Sequence, residues 1–450
     1  MQELLGQING IVWGLPTIIL LLGTGIFITL IIKAIQIRKF RYAWGLITGR
    51  YDNSDDRGEV THFQALSAAL SATIGTGNIA GVGIAIATGG PGAVFWMWIT
   101  AVFGMSLKYA ECLLSLNYRI IHADGTVGAG PMYYLQKGLN QKWLGFLFAF
   151  FATIASFGIG NMVQANSVAE PLQADLGCPK LVTGLILGVL VFTVIVGGIK
   201  RIGQVASKLV PFMAIIYVVG ALIILATRLD AIPHALSLIF REAFSGSAAT
   251  GGFAGATFAL VIRQGVARGL FSNESGLGSA PIAHGAAKTE EPVREGLVAM
   301  LGPFIDTIVI CTMTALVIVV TGAYSSGLSG AELTGKAFNL GISGFGGAIV
   351  TFGMIFFALS TAISWSYYGD RCVDYLFGER MVTPYRILYC ILLPVGAYTK
   401  IEIVWTISDI FNAMMAWPNL IGLIFLSPVV IKMTRDYFRD ESRVFPLNKK

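Results

Sequence analysis

Long apolar segments recur along this 450-residue chain, separated by short stretches that carry most of its charges. Each segment is long enough to cross ~30 Å of hydrocarbon as a helix. Eleven are predicted as membrane spans 1 to 11: residues 11–32, 63–88, 92–116, 142–167, 181–198, 204–226, 252–284, 295–321, 346–376, 383–398 and 401–431. The pattern therefore predicts an all-α polytopic membrane protein with about 11 transmembrane helices.

Two of the spans are interrupted by glycine and polar residues. Residues 71–81 of span 2 read SATIGTGNIAG, and residues 267–286 of span 7 and its end read ARGLFSNESGLGSAPIAHGA. Glycine weakens a helix interior by ~1 kcal/mol relative to alanine, and a turn opened in lipid needs partners from helices, water or a ligand. The alternatives are a small-residue packing face in span 2 and a loop between two short spans in place of span 7.

Spans 2 and 7 lie five spans apart, so they cross the membrane in opposite directions. Broken helices at corresponding positions of two oppositely oriented halves are typical of inverted-repeat secondary transporters. We interpret the chain, 1–450, as a single transmembrane domain with a peripheral span 1. Repeat one then covers about 63–226, and repeat two covers about 252–431.

The composition excludes several classes of protein. Hydrophobic residues make up 55% of the chain and charged residues 12%, and the mean hydropathy is +0.72. So much apolar surface excludes a soluble enzyme, a disordered chain and a fibrous protein. The five cysteines show no CxxC spacing, and the chain has no HExxH and no GxxxxGK[ST] motif. A channel and a membrane-embedded enzyme are the less favoured alternatives to a transporter.

The distribution of basic residues predicts the orientation. With the N-terminus outside, the inner segments hold 23 of the 31 lysines and arginines and the outer segments hold five. Because inner loops are enriched in Lys and Arg, the N-terminus is expected outside and the C-terminus in the cytoplasm, in the plasma membrane. Basic clusters that adjoin spans 1 and 11 indicate contact with anionic lipid rather than nucleic acid.

Three stretches of the chain resemble a known family. Residues 89–104 read GGPGAVFWMWITAVFG, and the stretches SATIGTGNIAGV and ARGLFSNESGLGSAPIAHGAAKT contain the two breaks. All three are similar to signatures of the sodium:alanine symporters, also called the alanine or glycine:cation symporter family, and the likeness runs from about residue 10 to 435. The resemblance implies sodium-coupled uptake of alanine or glycine by the five-plus-five inverted-repeat fold of the leucine-transporter type. Proton coupling within the same fold is the alternative.

The resemblance also implies where the substrate carboxylate binds. In amino-acid transporters of this fold, residues around the first break contact the substrate and one sodium ion. Free N–H groups at the start of the second half of span 2 suit an anion. The residues expected to hold the carboxylate, through backbone N–H groups and an amide side chain, are Gly75, Thr76, Gly77 and Asn78.

The break in span 7 is expected to hold the substrate's α-ammonium. The backbone of Phe271, Ser272 and Asn273 would offer acceptors there. Glu274 lies in the same break, and ionisable groups within the membrane are functional candidates by default.

Two side chains from other spans are expected to wall the site. Gln164 in span 4 is the better placed, although an interhelical hydrogen bond is an equal alternative. Trp365 in span 9 could cap a small side chain together with Phe271, although an aromatic residue more often only packs.

Sodium is expected between spans 2 and 9. Ser360 and Thr361 are hydroxyl residues in an otherwise apolar stretch, and Ser71 and Ile74 would add carbonyl oxygens. Hard cations prefer oxygen ligands, although hydroxyls in helices also bond back to their own carbonyls. The resemblance implies sodium as coupling ion, no organic cofactor, a small amino acid as substrate and lipid as surroundings. It implies no nucleic acid, no obligate protein partner and no enzymatic activity.

Overall fold

Helices make up nearly all of the protein. The computed structural model describes residues 2–53, 55–123, 125–245, 257–399 and 402–444. Within these ranges the one sheet is an antiparallel pair of two-residue strands, Ile120–Ile121 and Val127–Gly128. The predicted all-α class is confirmed.

The first half of the chain contains spans 1 to 6. Their helices are Gln2–Val12 and Leu15–Ile31 (span 1), His62–Thr73, Gly77–Gly81 and Val82–Gly89 (span 2), Ala93–Tyr118 (span 3), Lys142–Phe157, Gly158–Met162 and Val163–Leu176 (span 4), Lys180–Ile195 (span 5) and Gly198–Ala226 (span 6). The connecting helices are Ile35–Arg38, Phe40–Leu46 and Pro131–Gly138. Two of these segments, Gly77–Gly81 and Gly158–Met162, are π-helical.

The second half contains spans 7 to 11. Their helices are Phe258–Asn273 and Ala280–His284 (span 7), Pro292–Ala299, Leu301–Pro303, Phe304–Cys311 and Thr312–Val320 (span 8), Gly346–Phe377 (span 9), Val382–Tyr398 (span 10) and Glu402–Phe425 (span 11). The other helices are Leu229–Ala231, Ile232–Ser245, Ala323–Ser326, Gly330–Gly341, Glu379–Met381, Ser427–Arg439 and Glu441–Val444.

Length and composition identify most of the predicted spans. Eight helices of the described chain could cross a membrane, or nine when the bent pair His62–Thr73 and Gly77–Gly89 forms one span. The other two predicted spans are Lys180–Ile195, a shorter apolar helix of 16 residues, and the interrupted span 7. A multi-pass membrane protein is therefore confirmed, whereas the number eleven stays a prediction.

Some predicted boundaries differ from the structure. Residues 252–256 of span 7 and residue 401 of span 11 lie outside the described residues. The predicted end of span 11 at residue 431 is wrong, because its helix ends at Phe425 and a separate helix, Ser427–Arg439, follows. Pro428 lies in the first turn of that helix and lacks the N–H that would continue the preceding one.

Two connecting helices that the apolar pattern did not predict support the bundle. Ile232–Ser245 lies against span 3, where the Trp96 indole donates a hydrogen bond of 3.0 Å to the Ala243 carbonyl. Gly330–Gly341 lies against the second half of span 2, where the Thr334 hydroxyl donates 3.0 Å to the Ile79 carbonyl. That carbonyl belongs to the π-helical turn, so the connecting helix satisfies a backbone group near the break.

Candidate substrate and ion site

The break in span 2 is a short capped turn. The helix ends at Thr73, Ile74 is extended with φ −73° and ψ 91°, and helical geometry resumes at Thr76. The Gly75 N–H donates 2.9 Å to Oδ1 of Asn78, and the Asn78 N–H donates 3.2 Å to the Gly75 carbonyl. The two half-helices of span 2 meet at an angle of 54°. The predicted break is confirmed, and Asn78 fixes its shape.

The break in span 7 is longer and relies on left-handed backbone. Phe258–Asn273 ends where Glu274 adopts φ 52°, and Gly276 and Gly278 follow at 81° and 84° before the next helix starts at Ala280. Glycine adopts such angles at no steric cost, which accounts for the glycines in this turn. The predicted second break is therefore confirmed as well.

Asp306 of span 8 joins the two breaks. Its Oδ1 accepts a hydrogen bond of 2.6 Å from the Asn78 amide, and its Oδ2 accepts 2.8 Å from the Ser272 hydroxyl and 2.7 Å from the Thr307 hydroxyl. The Asp306 side chain is fully buried. A buried carboxylate needs such partners, so both broken helices depend on the same residue.

A small cavity lies between the breaks. We call it the central cavity. Its volume is ≈ 10 Å³, which is room for about one water molecule. The cavity is lined by Ala72, Thr73, Gly75, Thr76, Gly77, Ile159, Gln164, Phe271, Glu274, Thr361, Trp365 and Asn412. Spans 2, 4, 7, 9 and 11 all contribute, so the cavity lies at the centre of the bundle.

Glu274 places a carboxylate on the cavity wall. It is 4% exposed, and its oxygens accept 2.9 Å from the Trp365 indole N–H and 2.6 Å from the Ser279 hydroxyl. Among the described residues it forms no ion pair, and neither Arg263 nor Arg268 of span 7 lies within 4 Å of it. The carboxylate is thus held in place by neutral donors.

Four polar atoms around the cavity lack hydrogen-bond partners within the described chain. They belong to the hydroxyls of Thr76 and Thr361 and to the amide oxygens of Gln164 and Asn412. Buried polar groups are rarely left unpaired, so a group of them in one cavity calls for a bound polar molecule.

Spans 2 and 9 touch beside this cavity. The Ser71 hydroxyl donates 2.8 Å to the Ser360 carbonyl, and the Ser360 hydroxyl donates 3.3 Å back to the Ser71 carbonyl. The Ser360 hydroxyl also bonds to its own helix, 2.9 Å from the Phe357 carbonyl. A Cβ at Gly75 would lie 2.6 Å from the Thr361 hydroxyl oxygen, so only glycine fits there.

The structure brings most of the predicted site residues to this one cavity. Its lining includes Gly75, Thr76, Gly77, Gln164, Phe271, Glu274, Trp365 and Thr361. The neighbouring Ser71, Ile74 and Ser360 are buried at the contact of spans 2 and 9. The residues that were not predicted for the site are Ala72, Thr73, Ile159 and Asn412 in the lining and Asp306 behind it.

Three predicted side chains point elsewhere. The Asn78 amide, expected to contact the substrate carboxylate, is engaged by Asp306 and the Gly75 N–H. The Ser272 hydroxyl also bonds to Asp306, and the Asn273 amide donates 3.2 Å to Thr307. None of the three lines the described cavity, because their polar groups hold the turns in shape.

A second cavity lies beyond Phe271, which lines both. It opens at the end of the bundle where span 1 begins, and its volume is ≈ 180 Å³. Arg263, Arg268 and Asp409 line it. The buried Asp409 Oδ1 and Arg268 Nε lack partners among the described residues. Phe271 therefore separates the central cavity from a polar vestibule.

The opposite end of the bundle is closed by a buried cluster that we call the His–Glu seal: His62, His284 and Glu295. One Glu295 oxygen pairs with the His62 ring and the other with the His284 ring, and all three side chains are at most 1% exposed. His62 begins span 2 and His284 ends span 7. Nearby, the Lys288 N–H donates 2.7 Å to the Val60 carbonyl. Both broken helices are thus fastened together at this end.

Comparison with known proteins identifies the family. The pattern of the sodium:alanine symporter family matches residues 1–445. The chain belongs to that family. The predicted resemblance is confirmed, and so is the predicted class of function, sodium-coupled amino-acid symport.

Individual relatives agree with this assignment. The chain is 48% identical to the sodium/alanine symporter AgcS of Methanococcus maripaludis over 97% of each chain. It is also 48% identical to an uncharacterized transporter of Haemophilus influenzae over 97% of this chain and 96% of the relative. The crystal structure of MhsT in complex with L-phenylalanine matches with a TM-score of 0.57 at 13% identity, covering 84% of this chain and 99% of MhsT. MhsT is a transporter of the leucine-transporter fold, so the symporter shares that fold.

Proposed function

We propose that this symporter imports alanine or glycine together with sodium across the plasma membrane, with its N-terminus outside and its C-terminus in the cytoplasm. The observation that carries the proposal is that a buried carboxylate and a helix N-terminus both line the central cavity. The cavity has room for about one water in the conformation described, so it would widen to admit the substrate. A zwitterionic amino acid has the matching charges at either end. The repeats, about 63–226 and 252–431, would rearrange around it.

The substrate carboxylate would bind at Thr76 and Gly77. These residues begin the second half-helix of span 2, where the first N–H groups have no intrahelical acceptor and the helix dipole favours an anion. The Thr76 hydroxyl has no partner in the described chain and would add a donor. The side-chain N–H₂ of Gln164 donates 2.9 Å to the Ile159 carbonyl and could donate its second hydrogen to the substrate. Asn78 acts here as a positioning residue that holds the Gly75 turn.

The substrate ammonium would bind at Glu274. This carboxylate faces the cavity and is fixed by Trp365 and Ser279, and a carboxylate can accept more than two hydrogen bonds. The last carbonyls of Phe258–Asn273, at Phe271, Ser272 and Asn273, would add acceptors at the negative end of the helix dipole.

The substrate would have to be small. A Cβ at Gly77 would already lie 3.3 Å from the Ser272 Cα and 3.4 Å from the Phe271 ring. Trp365 closes another side of the cavity. Glycine and alanine should compete with each other, serine weakly and leucine hardly at all, because each misfit methylene costs ~1–3 kcal/mol in a formed pocket.

Sodium would bind between spans 2 and 9. The Thr361 hydroxyl has no partner in the described residues, which makes it the strongest candidate ligand. The Ser71 and Ile74 carbonyls and the Ser360 hydroxyl would complete a set of hard oxygen donors. Support for Ser360 is weaker, since its hydroxyl already bonds to its own helix.

Uptake of labelled alanine into proteoliposomes tests the proposal. An inward sodium gradient should drive accumulation, while equal potassium should not. A pH gradient without sodium is the third arm, because the buried Glu274 and Asp306 carboxylates favour proton coupling as the second candidate. Counterflow separates a carrier from a channel or an enzyme. Accumulation that needs only the pH gradient, or no counterflow, would contradict sodium symport.

A further inference from the structure

A groove lies between the end of span 1 and the helix Ser427–Arg439. Its volume is ≈ 430 Å³, many times the volume of the central cavity. The groove is lined by Ile31, Ile32, Lys33, Ile35, Arg38, Lys39, Ile431, Thr434, Arg435, Phe438 and Arg439. We call it the basic groove. It has two surfaces of different character, one cationic and one apolar.

The cationic surface consists of five side chains that have no carboxylate partner among the described residues. These are Lys33, Arg38, Lys39, Arg435 and Arg439. Within the described part of the chain none of them lies within 4 Å of an acidic group. Their contacts are a 3.4 Å hydrogen bond from Arg38 to the Lys33 carbonyl and the Lys39 ammonium 4.4 Å above the Phe438 ring.

Other arginines at this end of the bundle differ. Arg443 pairs with Glu291 at 2.7 Å, and Arg371 pairs with Asp370 at 2.6 Å. Unlike these structural pairs, the five groove cations concentrate uncompensated positive charge on one surface. Such a concentration attracts an anion.

The apolar surface lies at the end of span 1, where Ile31 is partly exposed and the buried Ile32 and Ile35 lie beneath it. Ile31 and Ile32 end that span, and Ile35 and Ile431 extend the apolar floor into the groove. Lys33 and Ala34 adopt φ 57° and 49°, so the chain turns sharply between Ile32 and the helix Ile35–Arg38. The turn sets the cations directly beside the apolar floor, at the end of a helix that could cross a membrane.

We infer that the basic groove is a binding site for an anionic phospholipid. The phosphate would lie among the five cations, and one acyl chain would lie along the isoleucine floor. Juxtamembrane lysines and arginines each strengthen anionic-lipid binding by about fivefold. A free phosphate or a nucleotide would use the cations but would gain nothing from the apolar floor, so the two-sided chemistry favours the lipid. The inference is independent of the transported substrate.

Native mass spectrometry of the full-length, delipidated protein tests the site. The probes are phosphatidylglycerol and phosphatidylcholine, titrated separately. The variant Arg38→Gln/Arg435→Gln/Arg439→Gln should lose roughly a hundredfold in phosphatidylglycerol affinity. The control Lys200→Gln/Arg201→Gln/Lys208→Gln removes the same charge from exposed positions outside the groove and should bind as the wild type does. Equal loss in both variants, or equal binding of the two lipids, would overturn the inference.

Two further measurements separate a lipid from a soluble anion. Ile431→Trp keeps all five cations and fills the floor, so it should weaken phosphatidylglycerol but not glycerol phosphate. Thermal unfolding checks that each variant is folded. If glycerol phosphate or inorganic phosphate displaces the lipid at matched concentration, or if Ile431→Trp binds lipid normally, the groove is an anion site and not a phospholipid site.

Discussion

Replacing Thr361 by valine separates an ion ligand from a packing residue. The Thr361 side chain is 2% exposed, and its hydroxyl finds no hydrogen-bond partner in the described residues. Valine keeps the branched shape and removes only the hydroxyl. The close approach to Gly75, where an added Cβ would lie 2.6 Å from the hydroxyl oxygen, limits how far any replacement could shift.

The structure predicts that Thr361→Val has opposite effects on stability without sodium and on sodium affinity. An unpaired buried hydroxyl costs ~1–3 kcal/mol, so Thr361→Val should stabilise the sodium-free protein or leave its stability unchanged. With sodium bound, the variant lacks one ligand, and hydrogen bonds to charged groups set the scale at ~1.5–3 kcal/mol. The sodium concentration for half-maximal uptake should therefore rise roughly ten- to hundredfold.

The assay pairs thermal unfolding in choline with sodium-dependent alanine uptake in proteoliposomes. Ser366→Ala is the matched control, because the Ser366 hydroxyl lies on the same helix and donates 2.6 Å to the Ile363 carbonyl. The control should leave the sodium dependence unchanged. A Thr361→Val protein with wild-type sodium dependence, or one destabilised in choline, would refute Thr361 as a sodium ligand.

Three further predictions concern the substrate. Glu274→Gln should weaken alanine binding at least tenfold, because the ammonium loses its charged partner, while the sodium-free protein stays folded in thermal unfolding; unchanged affinity would contradict the role of Glu274. Asn78→Ala removes the amide that donates to the buried Asp306 carboxylate, so it should lower the free energy of unfolding by ~1–3 kcal/mol and weaken alanine binding with it; weaker binding with intact stability would instead indicate direct contact. Gly77→Ala adds a methyl 3.3 Å from the Ser272 backbone, so competition assays should show alanine losing more affinity than glycine; equal losses would mean that Gly77 does not face the substrate side chain.

The helix breaks could be predicted because their cause is local. Glycines beside polar residues open a helix wherever a neighbour can satisfy the backbone, and the runs around Gly75 and Gly276 contain both. The end of span 11 was predicted wrongly, although Pro428 was a readable signal. Apolar residues on both sides of Pro428 favoured one continuous span that extends beyond the proline.

The partners of the site residues could not be predicted, because they come from distant parts of the chain. In the sequence, Asp306 looks like any other charged residue in a membrane helix. Its neighbours in the chain do not indicate that it accepts a hydrogen bond from Asn78, which lies 228 residues earlier. Asn412 is one polar residue in an apolar span, and its position in the cavity depends on how span 11 packs. Side-chain type indicated the chemistry of the candidate site, whereas tertiary packing decided which groups line the central cavity.

The His–Glu seal has a consequence for how the two broken helices move. Because Glu295 serves both His62 and His284, a departure of one broken helix alone would strip a buried carboxylate of half its partners. Losing a partner of a buried charge costs ~3–5 kcal/mol, which keeps such half-open states at about one molecule in 150 or fewer. The two helices should leave the seal in a single concerted step. A shared carboxylate thereby couples the movement of span 2 to the movement of span 7.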